Sequence, residues 1–71
     1  MIAEHPITAA PHFAARVYPA DGGKFRGYVL NIRLGATKVL WRDSEVYDMP
    51  EAAIRIARSQ SDILFANYLR K

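Results

Sequence analysis

Few side chains in this sequence have the types and spacing that catalysis requires. His5 and His12 lie in or beside a proline-containing N-terminal segment, where nothing would hold a general base against a substrate. The same two histidines lack a fixed spacing and a third ligand, so they do not form a zinc-binding pattern. Ser44, Ser59 and Ser61 have neither a glycine elbow nor a nearby histidine. We therefore predict that the protein is not an enzyme and that it binds no metal or cofactor.

Two further groups have the composition of a ligand site, but their spacing indicates other roles. Acidic residues cluster at Asp43, Glu45, Asp48 and Glu51. Their oxygens would suit Mg²⁺ or Ca²⁺, yet the spacing of a calcium loop is absent. Residues 21–24, Asp-Gly-Gly-Lys, lack the spacing of a phosphate-binding loop and precede a predicted strand, so a hairpin turn is predicted there.

Charge is distributed unevenly along the chain. Residues 12–42 contain six basic residues and a single acid, Asp21, so their net charge is +5. The six are Arg16, Lys24, Arg26, Arg33, Lys38 and Arg42. Residues 43–51 contain four acids and no base. A basic body followed by an acidic corner favours a polyanionic partner, although small domains are often this basic without one.

The 71 residues are enough for one domain with a modest core, since a chain of this length buries only about 60% of its unfolded surface. There is no cysteine, so packing or self-association must stabilise the fold. Residues 1–15 contain no Lys or Arg, and two prolines interrupt any apolar run, which argues against a secretory signal. No apolar run approaches the length of a membrane span. We expect a cytoplasmic protein that does not enter membranes.

The clearest element is an amphipathic helix predicted over residues 48–68. Asp48-Met49-Pro50-Glu51 has the form of a capping box, and proline is favourable in the first turn. The apolar side of this helix comprises Ala53, Ile56, Ala57, Ile63, Leu64 and Tyr68, with Ile54 and Phe65 at its edge.

Three strands are predicted before the helix, at residues 13–18, 24–34 and 37–42, because apolar residues alternate there and glycine-containing turns separate them. Residues 1–11 are predicted to form a flexible N-terminal arm. Any pairing of this arm with the sheet edge is expected only near Ile7. The predicted fold is α+β: a three-stranded antiparallel sheet (β-β-β-α) with one C-terminal amphipathic helix packed on one face, in a single domain over residues 12–71.

Strand alternation then predicts two faces of the sheet. The predicted core comprises Phe13, Val17, Tyr28, Leu30, Ile32, Val39 and Trp41 in the sheet under Ala53, Ile56, Ala57, Leu64 and Tyr68 of the helix. The two alanines let the helix lie close to the sheet. The helix-free face is predicted to carry Arg16, Tyr18, Phe25, Val29, Asn31, Arg33, Lys38, Leu40 and Arg42.

The segments 24–29, 37–41 and 47–53, followed by Ala57, resemble the plant ethylene-response-factor-type DNA-binding domain, and the layout is similar to the arm-binding domains of phage-type integrases. The likeness covers roughly residues 13–66. In those families the sheet face away from the helix lies in the DNA major groove. The same pattern is also similar to small bacterial YegP-like proteins, which have no established role in DNA binding. The resemblance implies the layout, with Arg16, Arg33, Lys38 and Arg42 as DNA contacts.

Two functions therefore remain open for a small non-catalytic binding domain. The first is nucleic-acid binding by the basic, helix-free face, with Tyr18 and Phe25 supplying stacking surfaces beside the four cations. The alternative is a protein-protein interaction or homodimerisation module with no nucleic-acid role. Its contact residues would be Ile54, Phe65 and Leu69, because the helix is apolar over a wider arc than three strands can cover.

Overall fold

The computed structural model describes residues 1–6, 12–33 and 36–69, and the helix and three strands form in it where the alternating and helical periods predict them. The strands are β1 (Ala3–Pro6), β2 (Phe13–Ala20), β3 (Lys24–Arg33) and β4 (Ala36–Arg42). A 3-10 turn at Asp21–Gly23 joins β2 to β3, and helix α1 covers Pro50–Leu69. The α+β class, the antiparallel sheet and the C-terminal helix are confirmed.

The sheet has four strands in the order β1-β2-β3-β4, all antiparallel, so the prediction of three strands was wrong. The additional strand, β1, lies in the segment that had been assigned to an arm, and it pairs Ala3 with Val17 and Pro6 with Ala14. Its sequence, Ala-Glu-His-Pro, has little intrinsic strand preference. The β1 segment is therefore extended because it pairs with the free edge of β2. Ile7, where edge pairing was expected, lies outside the described residues.

The turn between β2 and β3 depends on two glycines. Gly22 and Gly23 both have positive φ, at 74° and 71°, which residues with a side chain adopt only at a cost. The predicted hairpin at residues 21–24 is thus confirmed, and it places β3 beside β2 with Val17 opposite Gly27.

Gly27 shows which face of the sheet the helix covers. A Cβ atom built on Gly27 would lie 2.8 Å from the backbone oxygen of Ala53 and 3.1 Å from the Cβ of Ala57. Both alanines are fully buried, as is Val17 on the paired strand. The prediction that small residues bring the helix close to the sheet is confirmed. Ser61, one turn beyond Ala57, is also buried and extends this stripe of small residues.

The predicted facing of β3 was wrong. Because alternate residues share a face, Val29 and Asn31 lie on the Gly27 side with the helix, whereas Tyr28, Leu30 and Ile32 lie on the other side. Val29 is 1% exposed and packs on the helix side, whereas Leu30 is buried as predicted, at 3% exposed, but on the opposite side of the sheet, paired with buried Ala14. The apolar character of these three residues predicted the wrong face. The helix packs on the other face because it comes so close to the sheet that only a glycine fits beneath it.

A bulge changes the facing within β4. Val29 pairs with Trp41, but the next residue, Leu30, pairs with Val39, so Leu40 is the extra residue of the bulge. Trp41 therefore lies on the helix side, as predicted, while Val39 shares the side of Leu30 and is 54% exposed. The core assignment of Val39 was wrong.

The helix begins one or two residues later than the capping pattern predicts. Its first residue is Pro50, and the carbonyl of Met49 accepts a hydrogen bond from the Ala53 N–H at 3.4 Å. The Asp48 carboxylate pairs with Lys24 Nζ at the start of β3. Ile56, which was assigned to the core, is 39% exposed, so the buried side of the helix is narrower than its apolar pattern suggests.

Candidate nucleic-acid interface

The side of the sheet turned away from α1, called here the distal face, carries a row of polar and aromatic side chains across all four strands. Strand pairing sets Glu4 beside Arg16, Arg16 beside Tyr28, and Tyr28 beside Arg42. A second, shorter row pairs Tyr18 with Arg26. Since neighbouring strands lie about 4.8 Å apart, Arg16 and Arg42 are separated by about 10 Å across the sheet.

The two tyrosines of the distal face contact each other. Their ring centroids lie 5.4 Å apart and the ring planes are nearly perpendicular, at 85°. This edge-to-face geometry is the one that aromatic quadrupoles favour. Tyr18 and Tyr28 occupy diagonal positions on the two central strands, so the pair forms an aromatic centre between the arginines.

Arg16 is held in place by its neighbours on the distal face. Its Nη1 donates to the Tyr18 hydroxyl at 3.4 Å, and its Nε lies 3.3 Å from a carboxylate oxygen of Glu4. The contact with Glu4 is an ion pair without the alignment of a hydrogen bond. The Tyr18 hydroxyl, and to a lesser degree Glu4, hold the pKa of Arg16 above its usual value despite partial burial. Arg16 is thus a fixed cation whose charge Glu4 partly offsets.

Arg26 also lies on the distal face, where the sequence pattern did not predict it. Its Nη1 donates to the backbone oxygen of Asp43 at 2.6 Å, which anchors one end of the guanidinium. The other N–H groups of an arginine fork remain able to donate. The signal in the sequence is its spacing of two from Tyr28, which places both on the same face of β3 once that face is known.

The buried carboxylate of Asp43 organises the corner that ends β4. Asp43 is 5% exposed, and it accepts hydrogen bonds from the Glu45 N–H and the Tyr47 hydroxyl, each at 2.9 Å. Tyr47 in turn exchanges two backbone hydrogen bonds with Phe25. The hydrogen bond to Asp43 raises the pKa of Tyr47 above its usual value, and burial and the nearby acidic charges act in the same direction. The acidic cluster is therefore partly structural.

The structure places three of the six predicted nucleic-acid contacts on the distal face. Arg16, Tyr18 and Arg42 lie there, and Arg42 is exposed. Phe25 pairs with Pro19 on the helix side and is half-buried, so its placement on the helix-free face was wrong.

Lys38 is not brought into the distal row. Lys38 is exposed but pairs with Asn31, which lies on the helix side, because the bulge reverses the facing of the first part of β4. Arg33 belongs to β3, and its side chain lies outside the described residues. Val29 and Asn31, which were expected beside these cations, lie on the helix side.

The predicted protein-contact residue Ile54 lines a pocket between the start of β1 and the first turns of helix α1. A cavity of about 170 Å³ is lined by Ile2, Ala3, Pro50, Glu51 and Ile54. Ile2 is exposed, as are the adjoining chain residues Met1 and Met49. The side chains of Phe65 and Leu69, the other two predicted contacts, lie outside the described residues.

Within the described residues, no group of three or more His, Asp or Glu side chains could hold a metal ion. No described helix has the length and apolar character needed to cross a membrane. The fold defines a small α+β domain with a helix on one side of a four-stranded meander. Comparison with known protein families, curated proteins and solved structures finds no match to this chain.

Proposed function

We propose that this protein is a non-catalytic domain that binds nucleic acid through the distal face of its sheet. The observation that carries the proposal is the convergence of Arg16, Arg26 and Arg42 around the Tyr18–Tyr28 pair. These three cations come from three different strands and lie on one surface. Guanidinium groups suit phosphate because their N–H donors match its oxygens in pairs.

Electrostatics supports a polyanion as the ligand. Within the distal rows, three arginines stand against one carboxylate, Glu4, which is already engaged by Arg16. The whole chain carries a formal charge of +3, so its long-range field also attracts anions. The most available of the three cations is Arg42, which is exposed at the edge strand.

The experiment compares two variants with the same change in net charge. Arg42→Glu reverses a cation of the distal face, whereas Arg55→Glu reverses an exposed cation on the helix. We expect Arg42→Glu to abolish measurable binding of short oligonucleotides at low salt. Arg55→Glu should weaken binding slightly, through the net charge alone. Fluorescence anisotropy measures both, and circular dichroism checks that both variants fold.

The salt dependence of the wild-type protein gives a second measurement. Each neutralised phosphate contributes a slope of about 0.7 to 0.9 in log K against log salt. Three arginine contacts therefore predict a slope of about −2 to −3 between about 50 and 200 mM salt. Equal losses in the two charge variants, or no binding to any oligonucleotide, would refute the proposal.

A second candidate function is protein binding at the pocket beside Ile54. The observation that favours it is an apolar cavity flanked by exposed Ile2 at the free edge of β1. A homodimer through this surface would bury that area and support a small core. Sedimentation of the wild type and of Ile54→Arg tests it. A monomer in both samples would rule out the homodimer.

A further inference from the structure

We propose that the distal face binds single-stranded nucleic acid and stacks a base on the Tyr18–Tyr28 pair. This inference rests on the proposed nucleic-acid function and specifies the form of the ligand. It follows from three properties of the face: its mixture of apolar and cationic side chains, the geometry of the two rings, and the position of the arginines beside them.

The distal face is amphipathic. Beyond the row that contains Tyr28, the next pair along the sheet is Leu30 with Val39; Leu30 is buried, whereas Val39 is 54% exposed. A duplex presents its phosphates outward and keeps its bases stacked inside, so its charged oxygens would lose hydration against the exposed Val39 side chain. A single strand presents bases and phosphates together, which matches a surface of both kinds.

The ring geometry leaves room for a base. In an edge-to-face pair, at least one ring keeps both of its faces clear of its partner. Tyr18 and Tyr28 are both partly exposed, so the pair is accessible from solvent. Their contact with each other restricts the rotation of the two rings. Aromatic side chains on the central strands of an antiparallel sheet are a known way to stack unpaired bases.

The arginines are placed to hold the phosphates of a stacked base. Tyr28 lies between Arg16 and Arg42, each one strand away, at about 4.8 Å in the backbone. Arg26 lies two residues along the same strand, at about 7 Å. A base on Tyr28 therefore leaves its flanking phosphates within reach of guanidinium groups on three sides. This spacing joins stacking and charge in one site.

The test compares Tyr28→Leu with Tyr28→Phe in the full chain. The probes are single-stranded DNA, single-stranded RNA, a DNA duplex of equal length and heparin. We expect both single strands to bind the wild type at least about five-fold more tightly than the duplex, with the DNA and RNA arms showing which sugar is preferred. Tyr28→Leu should lose at least about five-fold in single-strand affinity, since stacking on an aromatic ring is lost, while Tyr28→Phe retains it. Heparin, which has no bases, should bind all three proteins equally.

A measurement on the wild type covers the case in which Tyr28→Leu does not fold. Titration with single-stranded oligonucleotide should shift the ring-proton resonances of Tyr18 or Tyr28 upfield, as a stacked base does, and heparin should not. Duplex affinity equal to that of single strands, or unshifted ring protons at saturation, would overturn the single-strand inference alone. No binding to any of the four probes would overturn the proposed nucleic-acid function as well.

Discussion

Replacing Gly27 with alanine should destabilise the protein, because this glycine sets the distance between the sheet and the helix. The added Cβ would lie 2.8 Å from the Ala53 carbonyl oxygen, about 0.6 Å inside the 3.4 Å at which ordinary contact begins. A second contact, 3.1 Å to the Ala57 Cβ, is also tight. The oxygen belongs to the helix backbone and cannot rotate away. The helix must therefore move from the sheet, along the stripe where both surfaces are fully buried.

The magnitude follows from the cost of overpacking a closed core, which is about 1–3 kcal/mol. A domain of this size has a total stability of about 4–11 kcal/mol, so the loss is a large fraction of it. At about 4–8 °C per kcal/mol, the melting temperature should fall by about 4–24 °C. Thermal unfolding followed by circular dichroism measures this, and urea unfolding gives the free energy independently.

A Gly27→Ala variant that is more stable than the wild type would contradict this prediction. If the helix did not press on Gly27, alanine would restrict the unfolded chain and stabilise the protein by about 0.4–1 kcal/mol. An unchanged or higher melting temperature for Gly27→Ala would therefore show that the helix does not pack on this face. Gly22→Asn is the control: its surroundings are open, and asparagine tolerates the left-handed conformation of Gly22. It should change the melting temperature much less.

Three further predictions concern the corner after β4 and the start of the helix. Asp43→Ala should cost about 1–3 kcal/mol in urea unfolding, because it leaves two donors without their buried acceptor, and a loss below about 0.5 kcal/mol would contradict this. Because the pKa of Tyr47 is raised in the folded protein, its contribution to stability should be complete below the pKa of tyrosine in the unfolded chain, about 10. That contribution should be lost as the pH rises from there toward the folded pKa of Tyr47. A pH series of melting temperatures should show this part of the decline in the wild type and not in Tyr47→Phe. Lys24→Met should change stability by less than about 1 kcal/mol, since its partner Asp48 is largely exposed, and any loss should disappear in high salt; a larger, salt-independent loss would contradict this.

The corrected facing of β3 changes the chemistry of the distal face. Phe25 and Asn31 were predicted there but lie on the helix side, and the observed face has Tyr28 and Arg26 instead. The arginines thereby surround an aromatic pair instead of a mixed surface. This arrangement is the reason for proposing single strands, in contrast to the duplex implied by the family resemblance.

The sequence by itself determines the local elements. Alternation over residues 13–18, glycines at 22 and 23, and a helical period after Pro50 are short-range properties, and each element forms within a few residues of its predicted bounds. The two alanines of the helix also predict close packing correctly, because side-chain size limits the approach of two backbones whatever the rest of the chain does.

Only the tertiary structure decides which side of each strand the helix covers. Alternation divides β3 into two sets, and both sets contain apolar residues, so the period cannot choose between Val29 and its neighbours Tyr28 and Leu30. The choice comes from the helix, which fits over Gly27. In β4 a single extra residue at the bulge reverses the facing of Val39, and β1 is a strand only because β2 offers it an edge. Pairing register and the fit of the helix are contacts between distant residues, and they determine the composition of the candidate site.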